Sequence, residues 1–236
     1  MAKLTLNRPE EQKTGIPLLT AMATLLAFVA SAVGAIWLLP AILPGLTQSL
    51  LGEQPKAFWY LSRASAFVAF ILLWLSMVSG LLISNKLARM WPGGPTAFDL
   101  HQYTSLLSLA FVLFHAVILL GDRYINYTLI QIVLPFNSTS YKLVWVGIGQ
   151  LTFYGALIVS LTFYVRQTII SQTVWHIMHL ASYVLFITAM VHGLWSGTDS
   201  GTPWATLMYW VAGVSTLFFT VYRILAARVA RSAAMT

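Results

Sequence analysis

FDLHQYTSLLSLAFVLFHAVILL, residues 98–120, is apolar over a length that crosses a membrane, yet it places His101 near one end and His115 near the other. At about 1.5 Å of rise per residue, the two imidazoles lie roughly 21 Å apart along a helix axis. At about 100° per residue they return to within about 40° of one face. One helix therefore points two nitrogen ligands the same way, at two depths of a bilayer whose apolar core is about 30 Å thick. Farther along, WHIMHLASYVLFITAMVHGLW (residues 175–195) repeats the arrangement with His179 and His192.

The rest of the chain supports a membrane setting. Of its 236 residues, 58% are hydrophobic and only 8% charged, more apolar surface than a soluble domain of this size can bury. Runs free of Asp, Glu, Lys and Arg cover residues 14–52, 64–85, 100–121, 143–165, 167–198 and 200–222. Each is long enough for a spanning helix of about 20 residues, so six spans are expected. The net charge of +7 would suit nucleic acid, but its distribution follows the positive-inside rule instead. Lys3, Arg8, Lys13, Lys86, Arg89, Arg166, Arg223, Arg228 and Arg231 fall on one side of a six-span chain; Lys56, Arg63, Arg123 and Lys142 fall on the other. Both termini are thus expected in the cytoplasm, in a multi-pass protein of the cell membrane, and no nucleic-acid partner is expected. Cysteine is absent, which excludes disulfides, thiolate metal sites, iron–sulfur clusters and covalent haem attachment. No cleavable signal peptide is visible, because the apolar run after Lys13 is too long for one.

In chain order, a polar tail (1–13) leads to spans expected at 16–42, 58–83, 98–120, 143–165, 173–195 and 204–222. Arg63 lies about a turn inside the second span, where it would either snorkel to headgroups or clamp a carboxylate. A WPGGP turn precedes the third span, and the 121–141 connection has an apolar middle, YTLIQIVLPF, too short to cross. That segment is expected to lie along the outer surface as a lid. Gly147, Gly149 and Gly155 offer close helix approach in the fourth span, and a basic tail follows Arg223. The whole reads as one transmembrane domain, with 1–57 as the tail, first helix and external loop.

A lone histidine in a span is most simply a neutral ring bonded to a neighbouring carbonyl. Four in two matched pairs imply more. The third and fifth spans run in the same direction, so His101 comes level with His179 and His115 with His192. Two depth-matched pairs are what bis-histidine b-type haem ligation requires, with one helix on each side of each macrocycle. The fold expected is therefore an all-α six-helix bundle holding haem between its third and fifth helices. One step resists: the 13 residues from His179 to His192 turn an ideal helix by about 220°, so a tightened or widened turn, or strong tilt, is expected. Replacing His179 by His176 is no better, and periodicity does not choose between them. A zinc, iron or proton site would want carboxylates beside the histidines, and Asp99, Asp122 and Asp199 sit at helix ends instead. Phe111, Phe114, Tyr183 and Phe186 are ordinary packing residues that would also fill the gap between two haem levels.

Four stretches, SRASAFVAFILLWLSMVSGLLISNKLARMWPGGP, DLHQYTSLLSLAFVLFH, LPFNSTSYKLVWVGIG and WHIMHLASYVLFITAMVHGLWSGTD, resemble the ferric reductase-like transmembrane domain family over roughly residues 58–223. That family includes the membrane part of NADPH oxidases, metalloreductases and the haem-binding subunit of the bacterial methionine sulfoxide reductase system. The 14- and 13-residue histidine spacings are themselves a family hallmark. The resemblance implies that His101 and His179 hold a cytoplasmic-side haem, and His115 and His192 an external one. Family members often carry a basic residue close to where His176 stands, so His176 is expected beside the haem or its propionates; the carboxylate that Arg63 would clamp is expected to be a haem propionate. Unlike the reductases, no flavin or nicotinamide domain follows Arg223. The expectation is an electron-transfer subunit passing electrons between a separate donor, a flavoprotein or quinol, and an external acceptor. The competing readings are a histidine-based proton or metal-ion transporter, and a haem-bearing anchor of a larger redox complex.

Overall fold

The computed structural model describes residues 15–47, 56–139, 141–166 and 169–233. It is helical, with no strand among the described residues, and six helices are long and apolar enough to cross a membrane. They are α1 (Leu18–Ile42), α2 (Ala57–Ser84), α3 (Gly94–Ile118), α4 (Leu143–Val165), α5 (Gln172–Ser196) and α6 (Pro203–Ala233). Two boundaries differ from expectation by four residues or more. α3 begins inside the WPGGP turn, because Pro95 falls in its first turn, where a missing N–H costs nothing. α6 continues through the basic tail to Ala233, as befits the strong helix formers in RILAARVARSA. The tail carrying Lys3, Arg8 and Lys13 lies outside the described residues.

The interior is built from small side chains. Ala32, Ala69, Ala110, Ala205 and Ala212 are buried, as are Ser62, Ser65, Ser76 and Ser108. Helices in hydrocarbon gain nothing by hiding leucine from lipid, so close backbone approach at small residues holds them together. Large apolar side chains such as Leu19, Leu26, Val184 and Leu207 point outward, ready for lipid.

α2 and α3 form the most closely packed antiparallel hairpin. At its midpoint the Ser108 hydroxyl donates to the Ala69 carbonyl at 2.9 Å. α1 covers α3, with Phe28 against Phe111 at 4.9 Å and Phe58, Ala32 and Ile118 buried together. α4 packs on α5, where Thr152 donates to Thr188 at 2.7 Å and Trp145 stacks on Trp195. α6 closes on α2, joined by Trp74 Nε1 donating to Ser215 Oγ at 2.9 Å. α3 and α5 are not among the closely packed pairs.

The connection after α3 folds over one end of the bundle. Its apolar middle forms a five-residue helix, Leu129–Val133, started by a Thr128–Gln131 capping box. Leu129, Ile130 and Val133 are exposed. From α4, Gln150 Nε2 donates to the carbonyls of Gln131 and Ile132, and Tyr154 donates to the Val133 carbonyl. The end bearing this lid is called the lid end below; the end bearing Lys86, Arg89 and Arg166 is the basic end.

Candidate functional site: two histidine pairs

The structure brings the expected histidines together in twos. His101 faces His179 with ring centres 6.0 Å apart, and His115 faces His192 at 6.5 Å; both pairs are crossed at 76°. Each pair joins α3 to α5 across the space these two helices leave between them. The fourteen residues from His101 to His115 separate the two levels by about 21 Å. The helices run in the same direction, because the lower number meets the lower number at one level and the higher the higher at the other.

It is His179, not His176, that reaches His101. His176 is exposed, bonded through Nδ1 to the Gln172 carbonyl of its own helix at 2.9 Å and lying beside Trp175. No distorted turn is needed for the 13-residue step, since Gln172–Ser196 is continuous α-helix. The two rings leave α5 on different flanks instead. His192 leans on α4, whereas His179 stacks on Trp175 at 5.1 Å and 19°.

Three of the four rings are held from behind. His115 Nδ1 lies 2.8 Å from the Ser62 carbonyl, His101 Nδ1 2.9 Å from the Ser76 carbonyl, and His192 Nδ1 2.7 Å from the Trp145 carbonyl. A ring that donates its Nδ1–H backward keeps the Nε2 lone pair free on its other edge, which is how metal-binding imidazoles are oriented. Glycines one turn on make room for the rings. A Cβ on Gly149 would sit 2.5 Å from His192 Nδ1, and one on Gly80 would sit 3.3 Å from His101 Nδ1. Any side chain at 149 would occupy the place of the imidazole.

The donor set suits a metal that brings most of its own ligands. Among the described residues no group of three or more His, Asp or Glu gathers as a protein-only metal site would require. A haem needs only two axial ligands from the protein. With metal–imidazole bonds of about 2.0 Å and ring centres roughly 1.1 Å behind the ligating nitrogens, two trans imidazoles have centres about 6.2 Å apart. The observed 6.0 and 6.5 Å match that spacing.

Arg63, one residue from Ser62, is paired with Asp199 of the α5–α6 loop, a partner that sequence reading did not supply. Its Nε is buried and has no hydrogen-bond partner, which leaves a donor for a further anion. Phe111 and Phe114 do not fill the space between the levels. Phe111 meets α1 at Phe28, and Phe114 packs with Phe58, Ala32 and Ile118. Phe186 stacks on Phe70 of α2, beside Tyr209.

At the lid end, Tyr127 donates to Ser138 at 2.6 Å and Ser138 to the Tyr141 carbonyl at 2.6 Å, while Tyr141 donates to the Ser196 carbonyl at 2.6 Å. Burial pushes both phenols above the ordinary tyrosine range; for Tyr127 the Ser138 hydrogen bond opposes this, and for Tyr141 the Arg63 charge does.

Comparison with protein-family models, curated proteins and solved structures gives no match.

Proposed function

We propose that this protein is a membrane cytochrome with two b-type haems, related to the ferric reductase-like family, that moves electrons from one membrane face to the other. The observation that carries this reading is the pair of facing imidazoles at each of two levels, 6.0 and 6.5 Å between centres, with Nδ1 turned to backbone carbonyls in three of the four rings. His101 and His179 would hold one haem, His115 and His192 the other. When bound, each haem supplies a one-electron iron couple. The chain's own residues do the rest: α3 and α5 set the spacing, α2 and α4 orient the rings, and the apolar bundle keeps water away. The buried Nε of Arg63 suits a propionate at the lid end, and His176 one at the basic end. The positive-inside distribution puts the basic end in the cytoplasm, so a separate flavoprotein or quinol delivers electrons there and an acceptor collects them beyond the lid.

The test is spectroscopic. The purified chain, oxidised and then dithionite-reduced, is expected to show low-spin b-type bands with two haems per chain, and His115→Ala is expected to keep one. A chain that binds no haem when expressed with ample haem supply refutes the proposal.

A further inference from the structure

Ser62 and Ser76 repeat on α2 the fourteen-residue interval that separates His101 from His115 on α3. Each serine lies seven residues from Ala69, and each histidine seven from Ser108, the two residues joined at the hairpin's midpoint. The antiparallel register therefore sets Ser62 against His115 and Ser76 against His101. Serine recurs three positions on in both cases. Ser79 Oγ donates to the Ser76 carbonyl at 2.9 Å, and Ser65 Oγ lies 2.8 Å from the carbonyls of both Ser62 and Leu61. The same device, S-x-x-S against one imidazole, is built twice.

We infer that Ser62 and Ser76 are positioning residues that lock the tautomer of His115 and His101 and strengthen each ring as an iron ligand. This rests on the two-haem reading. At the lid end, the Ser62 hydroxyl lies 2.8 Å from His115 Nδ1 and donates to the His115 carbonyl at 2.9 Å. A hydroxyl has one hydrogen, so with that hydrogen on the carbonyl, Oγ only accepts from the ring. The Ser62 carbonyl accepts from the same nitrogen and has no hydrogen to offer. Nδ1 must then carry the proton, and Nε2 the lone pair.

At the basic end one more hydroxyl closes the same loop. His101 Nδ1 faces the Ser76 carbonyl at 2.9 Å and Ser76 Oγ at 3.2 Å. Ser76 Oγ meets Ser105 Oγ at 2.5 Å, and Ser105 donates to the His101 carbonyl at 2.6 Å. With Ser105's hydrogen spent on that carbonyl, Ser76 donates to Ser105 and accepts from the ring. Ser62 is 1% and Ser76 5% exposed, so water does not substitute for either hydroxyl. Acceptors behind Nδ1 raise the basicity of the ligating nitrogen, which favours the more highly charged ferric state. Removing one raises the reduction potential at that level only.

The experiment is a potentiometric titration of the haem-loaded chain. Ser62→Ala is expected to keep two haems and to raise, at fixed applied potential, the reduced-to-oxidised ratio of one component about threefold, or about 28 mV for a one-electron couple. That component is the one missing from His115→Ala. Ser76→Ala moves the other, the one missing from His101→Ala. Ser62→Thr, which keeps the hydroxyl, restores the original ratio. Ser105→Ala, which breaks the hydroxyl chain without touching Ser76, shifts the basic-end component alone. Potentials unmoved in Ser62→Ala and Ser105→Ala, or Ser62→Ala shifting the component that His115→Ala retains, overturn the assignment while leaving the two-haem reading intact. A wild-type chain without haem overturns both.

Discussion

The histidine rings owe their placement to what stands behind them as much as to their own positions. His192 reaches the Trp145 carbonyl because residue 149 has no side chain, and a methyl group there would lie 2.5 Å from the ring nitrogen. Gly149→Ala is therefore expected to displace His192, cost about 1–3 kcal/mol as an overpacked site does, and abolish binding at the lid-end pair only. Gly34→Ala is the control. A Cβ there meets nothing within 4 Å, and replacing a helical glycine by alanine favours the helix by up to about 1 kcal/mol. Thermal unfolding together with haem stoichiometry separates the two; equal behaviour of both variants would contradict the close approach. The aromatic residues teach the opposite lesson. Phe111 and Phe114 are turned about 60° and about 120° from the mean histidine direction of α3, to the same side, so their contacts with the α1 side follow from the helical period itself.

Among the elements, the lid is held by two α4 side chains, Gln150 and Tyr154, by the Tyr127–Ser138–Tyr141 chain, and by a buried cluster of Leu119, Ile125 and Tyr127 against Trp59 and Ile132. Because burial holds the Tyr127 and Tyr141 phenols above their usual value, the folded lid retains its protons longer than an unfolded one. Its stability is thus full below the ordinary tyrosine range, about pH 10, and is lost as pH rises through the higher folded-state values. Hydrogen exchange of residues 122–139, measured relative to the base-catalysed intrinsic rate, is expected to stay slow to about pH 10 and to quicken above it. Tyr127→Phe is expected to exchange faster at neutral pH with a weaker alkaline rise. An alkaline rise of unchanged size in Tyr127→Phe would assign the effect elsewhere. The lid was legible as an apolar stretch too short to span, but the grip of Gln150 and Tyr154 on it was not, since they lie on a helix that begins after it.

For the molecule as a whole, the orientation proposed in the bilayer rests on charge. The chain has no cysteine, so single cysteines report topology against a blank background. Arg89→Cys is expected to react with a membrane-impermeant thiol reagent only from the cytoplasmic side, and Thr139→Cys only from the other. The reverse pattern would place the lid and its nearby histidine pair at the cytoplasmic face and invert the direction proposed for electron flow. The six spans could be read before any coordinates, because charge-free runs of membrane length reflect a local transfer energy. The largest boundary shifts came where local helix chemistry permitted extension, at Pro95 and along the alanine-rich end of α6.

By itself the amino-acid order determined the helices, their number and the two depths at which histidines recur, since rise and rotation per residue are properties of one helix. The S-x-x-S repeat of SRAS and SMVS, at the interval of His101 and His115, was present there too and is recognisable only once α2 is known to face α3. The helical period left His176 and His179 open, the family resemblance favoured His179, and the structure sets His179 against His101; tertiary structure alone decided that Arg63 pairs with Asp199 and that α4 lends a carbonyl to His192. Those choices depend on how far each helix is rotated and tilted against its neighbours. That is set by where small residues let backbones approach, a relation between distant segments that no local period records.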